Sequence, residues 1–473
     1  MKNFLYYGDN LEILRKHISD QSVDLIYLDP PFNSQKAYNV IFPDKTSRMS
    51  SAQIQAFEDT WSWTDDTQKA FDEIMYDRET PAQLKDMMKA FRSFMGENQL
   101  MAYLTMMAIR LVELKRVLKE TGSLYLHCDP IASHYLKILL DQIFGLENYR
   151  NEIVWHYKTG GASKRHLAKK HDIILFYTKT DDYHFDPFAS PDVRTEKAIA
   201  RAQTPKGARI SAYDIHKIPM DVWQIQALNP MEKERIGYPT QKPAKLLSRI
   251  IKLSCPKNGT VLDPFVGCGT AVAAAEKLGR EWIGIDITHL AITLIKKRLI
   301  DHFPDVKYEV IGEPKSVEDA RELFQKSAFQ FESWAVSLLG GQPFKSKGGG
   351  DSGIDGLLYF KDYQGQFHKI IIEVKGGGYQ PNDVRAIGRV LERENAPLGV
   401  LIALNPPTPG MRTEAALMGR WKMPGSEKKY PVLQILTIED MFNGKKPELP
   451  DTSETLKKAS REIRETEKHP KLL

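Results

Sequence analysis

Short apolar runs alternate with amphipathic stretches over the first 180 residues. Phe4 to Tyr7, Val23 to Leu28, Ser123 to His127, Glu152 to Tyr157 and Ile173 to Tyr177 are rich in β-branched and aromatic side chains and read as strands. Helical periodicity covers Leu100 to Glu120 and His134 to Ile143. This alternation predicts an α/β fold with a parallel or mostly parallel sheet and helices on both faces. The pattern returns between residues 238 and 311, with a helix at Ala244 to Ser254, a strand at Thr260 to Asp263, a helix at Ala271 to Leu278 and a strand at Trp282 to Asp286. Residues 36–99 interrupt it with a polar stretch holding Trp61 and Trp63. Residues 181–237 lose it and carry Arg194, Lys197, Arg201, Lys206, Arg209 and Lys217. The two alternating blocks read as one sheet, so residues 1–311 are expected to form one domain with two insertions.

A second, smaller αβ domain is expected over 315–445. Its pattern is a helix from Val317 to Leu339, a turn at Gly348, Gly349 and Gly350, and strands at Gly353 to Tyr359 and Lys369 to Val374. A helix at Asp383 to Arg393 and strands at Leu398 to Leu404 and Val432 to Leu436 follow. Residues 446–473 form a charged tail. Lys457 to Lys468 mixes both signs at helical spacing, which reads as a solvated helix in preference to a nucleic-acid arm.

Composition changes this picture little. The 473 residues are 42% hydrophobic and 27% charged, as in ordinary globular proteins, and the length suits two or three domains. No run of 18 or more apolar residues suggests a membrane span, and Met1 to Tyr7 reads as a first strand in place of a signal peptide. Three cysteines without CxxC spacing point to a reducing, cytoplasmic setting and no structural zinc. A net charge of +5 permits a polyanionic partner without demanding one.

Candidate chemistry changes the picture more. The strand Asp24 to Leu28 delivers Asp29-Pro30-Pro31-Phe32 at its carboxyl end, where ligands bind in open α/β sheets. The prolines stiffen the turn and remove two N–H donors. An aromatic amine attacks a methyl sulfonium poorly, because its lone pair is delocalised into the ring. The Asp29 carboxylate and the Pro30 carbonyl can grip both amino hydrogens and free that lone pair, a preorganised electrostatic effect. Phe32 offers a face on which a base stacks. A base inside a duplex is out of reach, so it must be flipped out. The bland alternative is a plain Pro-Pro turn.

A second motif runs from Thr260 to Thr270. Asp263-Pro264-Phe265-Val266-Gly267-Cys268-Gly269-Thr270 is a strand end, a tight loop and a helix start, and Gly267 and Gly269 allow close backbone approach to a ligand. It lacks GxGxxG spacing and no Lys-Ser/Thr follows, so it is no phosphate cradle, and no ATP-driven motor is expected. Trp282 to Asp286 ends the next strand in a carboxylate placed for two ribose hydroxyls. A sulfonium nucleoside with an amino-acid tail fits such a site better than a dinucleotide. Tyr238-Pro239-Thr240-Gln241-Lys242-Pro243 and Gly8-Asp9-Asn10 are ordinary loops by themselves; with Asp263 and Asp286 they complete a pocket.

With these motifs in this order, the chain resembles the beta-group amino methyltransferases of DNA, in which an Asp-Pro-Pro-aromatic motif precedes the cofactor motif and the recognition region lies between. Asn151 to Trp155 and His171 to Tyr177 also look like that family. The resemblance covers about residues 1–311. It implies a Rossmann-like sheet of seven strands, S-adenosylmethionine as methyl donor and double-stranded DNA as partner. It places recognition in 181–237, with help from 36–99. Asp29, Pro30, Pro31 and Phe32 would serve catalysis. Asp9, Thr240, Lys242, Pro243, Asp263, Pro264, Phe265, Gly267, Gly269, Thr270 and Asp286 would surround the cofactor. The N4-cytosine branch often has Ser in place of the motif's Asp, so Asp29 leans toward adenine N6, with N4-cytosine left open. C5-cytosine chemistry needs a Pro-Cys nucleophile, and none of Cys128, Cys255 and Cys268 follows a proline.

A third set lies in the second domain. Asp355 stands 18 residues before Glu373, on a neighbouring predicted strand, and Lys375 shares a strand face with Glu373. Two carboxylates and a lysine suit Mg²⁺-assisted phosphodiester hydrolysis, with Glu332 a candidate third acid. The stretch resembles the Mrr-type restriction endonuclease core over about residues 325–440. That implies either an active nuclease or a DNA-binding relic, and leaves a restriction endonuclease with self-protecting methylation as the alternative activity of the whole. The recognition sequence and the oligomeric state, a homodimer included, stay open at this level.

Overall fold

The structure is a computed structural model. It describes residues 2–30, 38–43, 51–57, 63–129, 132–158, 165, 167–194, 216–229, 232, 234, 236, 240–344 and 353–452. In chain order the strands of the first part are β1 (Asn3–Tyr7), β2 (Val23–Leu28), β3 (Tyr38–Pro43), β4 (Ser51–Phe57), β5 (Leu118–Cys128), β6 (Tyr149–His156), β7 (His171–Thr178), β8 (Asp192–Val193), β9 (His216–Lys217), β10 (Val222–Gln224), β11 (Thr260–Asp263), β12 (Glu281–Asp286) and β13 (Tyr308–Ile311). Nine of them form one sheet in the order β10-β6-β7-β5-β2-β11-β12-β1-β13. All its pairings are parallel except those of β7, which runs against both β5 and β6. Seven strands make the body of the sheet, as the resemblance implies. The short edge strands β10 and β13 bring the number to nine.

β2 lies mid-sheet between β5 and β11, and all six of its residues are buried. A strand covered on both faces needs apolar side chains throughout, which is why this run does not alternate. Its one charge, Asp24, is offset by Lys119 Nζ at 2.7 Å and by the Thr260 backbone N–H at 2.9 Å. Two cores flank the sheet. Tyr6, Ile26 and Leu28 face one with helix Gln99–Val117, while Leu5, Leu25 and Tyr27 face the other with helix Ala244–Ser254. Helices Asp65–Tyr76 and Ala82–Met95, from the 36–99 stretch, pack on helix Gln99–Val117. Within 181–237 the described residues form the small pair β8-β9 and the edge strand β10. The 457–468 stretch and the 348–350 turn lie outside the described residues.

The second sheet contains β14 (Gln342–Pro343), β15 (Gly356–Lys361), β16 (Phe367–Lys375), β17 (Leu398–Ala403) and β20 (Leu433–Thr437), in the order β14-β15-β16-β17-β20. A separate hairpin joins β18 (Arg420–Lys422) to β19 (Lys429–Pro431). The single helix expected from Val317 to Leu339 is two helices, Val317–Lys326 and Ala328–Leu338. They break at Ser327, which leaves helical geometry (φ −160°, ψ 108°) and caps the second helix by accepting from the Gln330 N–H.

The two parts share apolar surface. Helix His289–His302 packs on helix Ala328–Leu338. Cys268, Leu290 and Leu294 join a cluster with Ile354, Ile387 and Met411. Among the described residues, no helix is long and apolar enough to cross a membrane.

Candidate functional site

A cavity of about 280 Å³ opens at the carboxyl ends of β1, β2, β11 and β12. Five separate segments contribute to its lining: Gly8 to Asn10, Tyr27 with Asp29, Thr240 to Lys242, and the facing turns Asp263 to Cys268 and Asp286 to Thr288. These segments thus converge although they lie up to some 280 positions apart in sequence. Thr270 also lines the cavity.

The turns are tied to each other. The Gly8 N–H donates to the Asp286 carbonyl at 3.0 Å, and the Gly267 N–H to Asp286 Oδ2 at 2.9 Å. Asp286 Oδ1 accepts from both the N–H and the hydroxyl of Thr288, each at 2.8 Å. Its Oδ2 therefore keeps a lone pair for a ligand hydroxyl. Burial pushes the Asp286 carboxyl up to about 6. Asp263 is buried at the other turn, takes the Phe265 N–H at 3.1 Å, and is pushed well above the usual carboxylate range, again by burial first. Asp263 and Asp286, both raised by desolvation, suit a ligand that brings a cation and ribose hydroxyls. The donor set therefore fits a sulfonium nucleoside.

Gly269 and Pro243 do not line the cavity. Gly269 sits at the N-cap of helix Thr270–Lys277 with φ +77°, and Pro243 precedes helix Ala244–Ser254 in the same way. Both shape the turns from behind. Asp9 is on the wall but already engaged. Its Oδ1 accepts from the Leu11 and Glu12 N–H groups, and its Oδ2 pairs with Arg110 at 2.6 Å. Arg110 comes from helix Gln99–Val117. It also holds Asn10, whose side chain donates to the Pro264 carbonyl at 2.8 Å. Burial lowers the Arg110 guanidinium below its ordinary value. Sequence reasoning missed Arg110, because one arginine on an amphipathic helix carries no signal of its own.

At the cavity's other end Asp29 follows β2, and its Oδ2 lies 2.5 Å from Lys242 Nζ. Both side chains are mostly buried, at 16% and 11% exposure. Pro30 is buried. Pro31 and Phe32 lie outside the described residues, as do Tyr238 and Pro239.

In the second sheet, β15 pairs antiparallel with β16, which sets Asp355 beside Glu373 and Lys375. The Asp355 N–H donates to the Ile372 carbonyl at 2.9 Å, and Asp355 Oδ2 accepts from the Val374 N–H at 2.6 Å. Lys375 Nζ lies 2.7 Å from Glu373 Oε1. Glu332 is half-buried on helix Ala328–Leu338, which packs on β16. Glu373 and Lys375 pair with each other, and Asp355 is tied to the backbone of the same strand. Among the described residues, however, no group of three or more His, Cys, Asp or Glu side chains is arranged to hold a metal ion.

Residues 23–297 match a family model described as DNA methylase, of the N6/N4 type. Residues 327–442 match one described as NACHT-associated inactive restriction endonuclease 1. The Type II methyltransferase M.HpaI of Haemophilus parainfluenzae is 32% identical over 196 residues, 41% of this chain and 58% of that protein. The DNA adenine methyltransferase YhdJ of Escherichia coli is 27% identical over 302 residues, 62% of this chain and 82% of that protein. The solved PvuII DNA methyltransferase (cytosine-N4-specific) is 15% identical, covers 65% of this chain and 89% of its own, and superposes with a TM-score of 0.40. The chain spans a little over half the length of the curated relatives it matches first. The DNA methylase match takes in well over half of the sequence, including β2 with Asp29, the Asp263 turn and Asp286, and the chain belongs to the N6/N4 DNA methylase family.

Proposed function

We propose that the protein transfers a methyl group from S-adenosylmethionine to the exocyclic amino nitrogen of a base in double-stranded DNA, with adenine N6 as the target and restriction-modification or defence as the setting. The carrying observation is that Asp29 opens into the same cavity as Asp263 and Asp286. The cofactor supplies an electrophilic methyl group. Asp286 is suited to the ribose hydroxyls and Asp263 to the cationic end, while Gly267 and Gly269 let the turn come close. Asp9, Thr240, Lys242, Pro243, Pro264, Phe265 and Thr270 complete or support the wall. Asp29 and the Pro30 carbonyl accept the two amino hydrogens, and Pro31 and Phe32 would finish the base pocket. The aspartate and the adenine specificity in YhdJ's name support adenine; the matching family model spans both N6 and N4 targets, so N4-cytosine is the alternative. Sequencing DNA from an expressing host with detection of modified bases tests this. N6-methyladenine in one sequence context is expected, and N4-methylcytosine in its place would transfer the reading to the alternative.

A second reading gives the C-terminal part a Mg²⁺-dependent endonuclease activity guarded by the methyl mark. The Glu373–Lys375 pair, with Asp355 bonded to the Val374 N–H between them, favours it; the inactive description of the matching family weighs against it. Plasmid nicking with Mg²⁺ that disappears in Lys375→Ala would support cleavage. Intact plasmid with the unaltered protein would leave this part without it.

A further inference from the structure

S-adenosylmethionine ends in an α-amino acid, so it brings a carboxylate and an ammonium besides its nucleoside. Asp263 and Asp286 suit its positive charge and its ribose hydroxyls, and neither suits a carboxylate. Among the described residues that line the cavity, two side chains are cations, Lys242 and Arg110. Lys242 contacts Asp29 at 2.5 Å. Arg110 stands elsewhere on the wall and belongs to none of the motifs.

Arg110 comes from helix Gln99–Val117, one turn after Met106, which also lines the cavity. Residues at this spacing share a helix face. Its side chain is mostly buried, at 13% exposure. Nε donates to Asn10 Oδ1 at 2.5 Å, Nη1 to the Met106 carbonyl at 3.2 Å and Nη2 to Asp9 Oδ2 at 2.6 Å. A guanidinium has five N–H donors. Among the described residues, one N–H on Nη1 and one on Nη2 therefore have no acceptor. These two nitrogens form the forked end of the group, which matches the two oxygens of a carboxylate. A lysine ammonium lacks that fork. Arginine can hold Asp9, Asn10 and a further acid together.

Asp9 supplies the opposite charge. Its Oδ1 accepts from the Leu11 and Glu12 N–H groups, while its Oδ2 accepts from Arg110. Oδ2 thus keeps a lone pair for an ammonium. An acid and a base side by side are the complement of an amino-acid zwitterion, which carries both charges on one carbon. The pair is also fixed to the nucleoside end of the cavity. Asn10 accepts from Arg110 and donates to the Pro264 carbonyl at 2.8 Å, in the turn that follows Asp263. Gly8, next to Asp9, donates its N–H to the Asp286 carbonyl at 3.0 Å.

Given S-adenosylmethionine as the proposed cofactor, on which this assignment rests, we propose that Arg110 binds the carboxylate of its amino-acid tail, with Asp9 beside it for the ammonium. Arg110 is then a specificity residue: it makes the site select a nucleoside with an intact amino-acid tail over one whose tail ends in an amine alone.

Calorimetry on the full chain tests this with two ligands, S-adenosylhomocysteine and its decarboxylated form, in which the tail ends in a primary amine. The unaltered protein should prefer S-adenosylhomocysteine by about 10- to 100-fold, the scale of hydrogen bonds to a charged group. In Arg110→Gln that preference should vanish or reverse, because the amine then meets an Asp9 without its counter-charge. If Arg110→Gln does not fold, Arg110→Lys keeps a cation beside Asp9 but loses the fork, and should shrink the preference. A purely structural role for Arg110 would weaken both ligands equally and preserve the preference, which would overturn the assignment. Loss of the preference in Lys242→Met, with its retention in the Arg110 variant, would move the carboxylate to the other cation and overturn it as well. No preference in the unaltered protein would overturn it while leaving the methyltransferase reading intact. Failure of the unaltered protein to bind either ligand would overturn both.

Discussion

Lys242 Nζ lies 2.5 Å from Asp29 Oδ2, joining side chains 213 residues apart within one mostly buried pair. Removing one partner of such a pair leaves a charge with little water around it, at a typical cost of about 3–5 kcal/mol, whereas removing both costs much less. Lys242→Met is therefore expected to destabilise the fold, and Asp29→Asn in the same chain to recover part of the loss. Urea unfolding of the two single variants and the double variant measures the coupling. Additive losses would show that the two side chains do not interact.

Cofactor affinity should depend on pH through Asp286. Its carboxyl sits at about 6 in the folded protein, above the ordinary value of 3.8. The folded state therefore holds this proton more tightly than the unfolded chain. The Asp286 contribution favours folding below pH 4 and is lost as pH rises from about 4 to 6. Ligand hydroxyls need the ionised form, so affinity should move the opposite way. S-adenosylhomocysteine should bind about tenfold more weakly at pH 5 than at pH 7.5. A flat calorimetric profile over that range would remove Asp286 from the binding site.

Gly269 offers a backbone test. Its φ is +77°, and an added Cβ would lie 2.7 Å from Ile295 Cγ1. Gly269→Ala therefore combines left-handed strain with a clash in a packed turn, about 2–4 kcal/mol together. Gly419 has a similar φ of +75° with nothing near the added carbon, so Gly419→Ala should cost only about 1 kcal/mol. Thermal midpoints of the two variants compare the costs, and equal shifts would contradict the tight turn.

The C-terminal part braces the cavity wall. The His289 ring lies tilted against Tyr7 at 3.6 Å between centroids and near Trp334 at 6.5 Å, and the Tyr7 hydroxyl donates to Gln330 Oε1 at 3.0 Å. Tyr7 precedes Gly8, and His289 follows Thr288, both on the cavity wall. Trp334→Ala should cost about 3–5 kcal/mol of stability and weaken S-adenosylhomocysteine binding. Unchanged binding in a destabilised variant would confine Trp334 to packing.

The sequence shows most of what the backbone does at this site. The buried run of β2, the Asp29 turn, the Gly267 loop and the β12 carboxylate each carry their signal within a dozen residues. What it hides depends on register and long-range packing. Asp172 and His127 meet because β5 and β7 run antiparallel, and no local pattern specifies that offset. Arg110 is one cation on a helix that has others. Leu290 and Leu294 look like core positions of their own domain and instead meet the other one. Ser327 disrupts a helix whose apolar periodicity continues past it, because its capping bond outweighs a weak interior preference.

Methyl transfer to DNA is the central claim, and labelled S-adenosylmethionine with duplex DNA tests it most directly. The intact protein should label DNA. Asp29→Asn should lower the rate by at least about 100-fold, the scale of losing one preorganised hydrogen-bonding group, while binding S-adenosylhomocysteine as before. Label entering RNA or protein in place of DNA, or full DNA labelling by Asp29→Asn, would contradict the account.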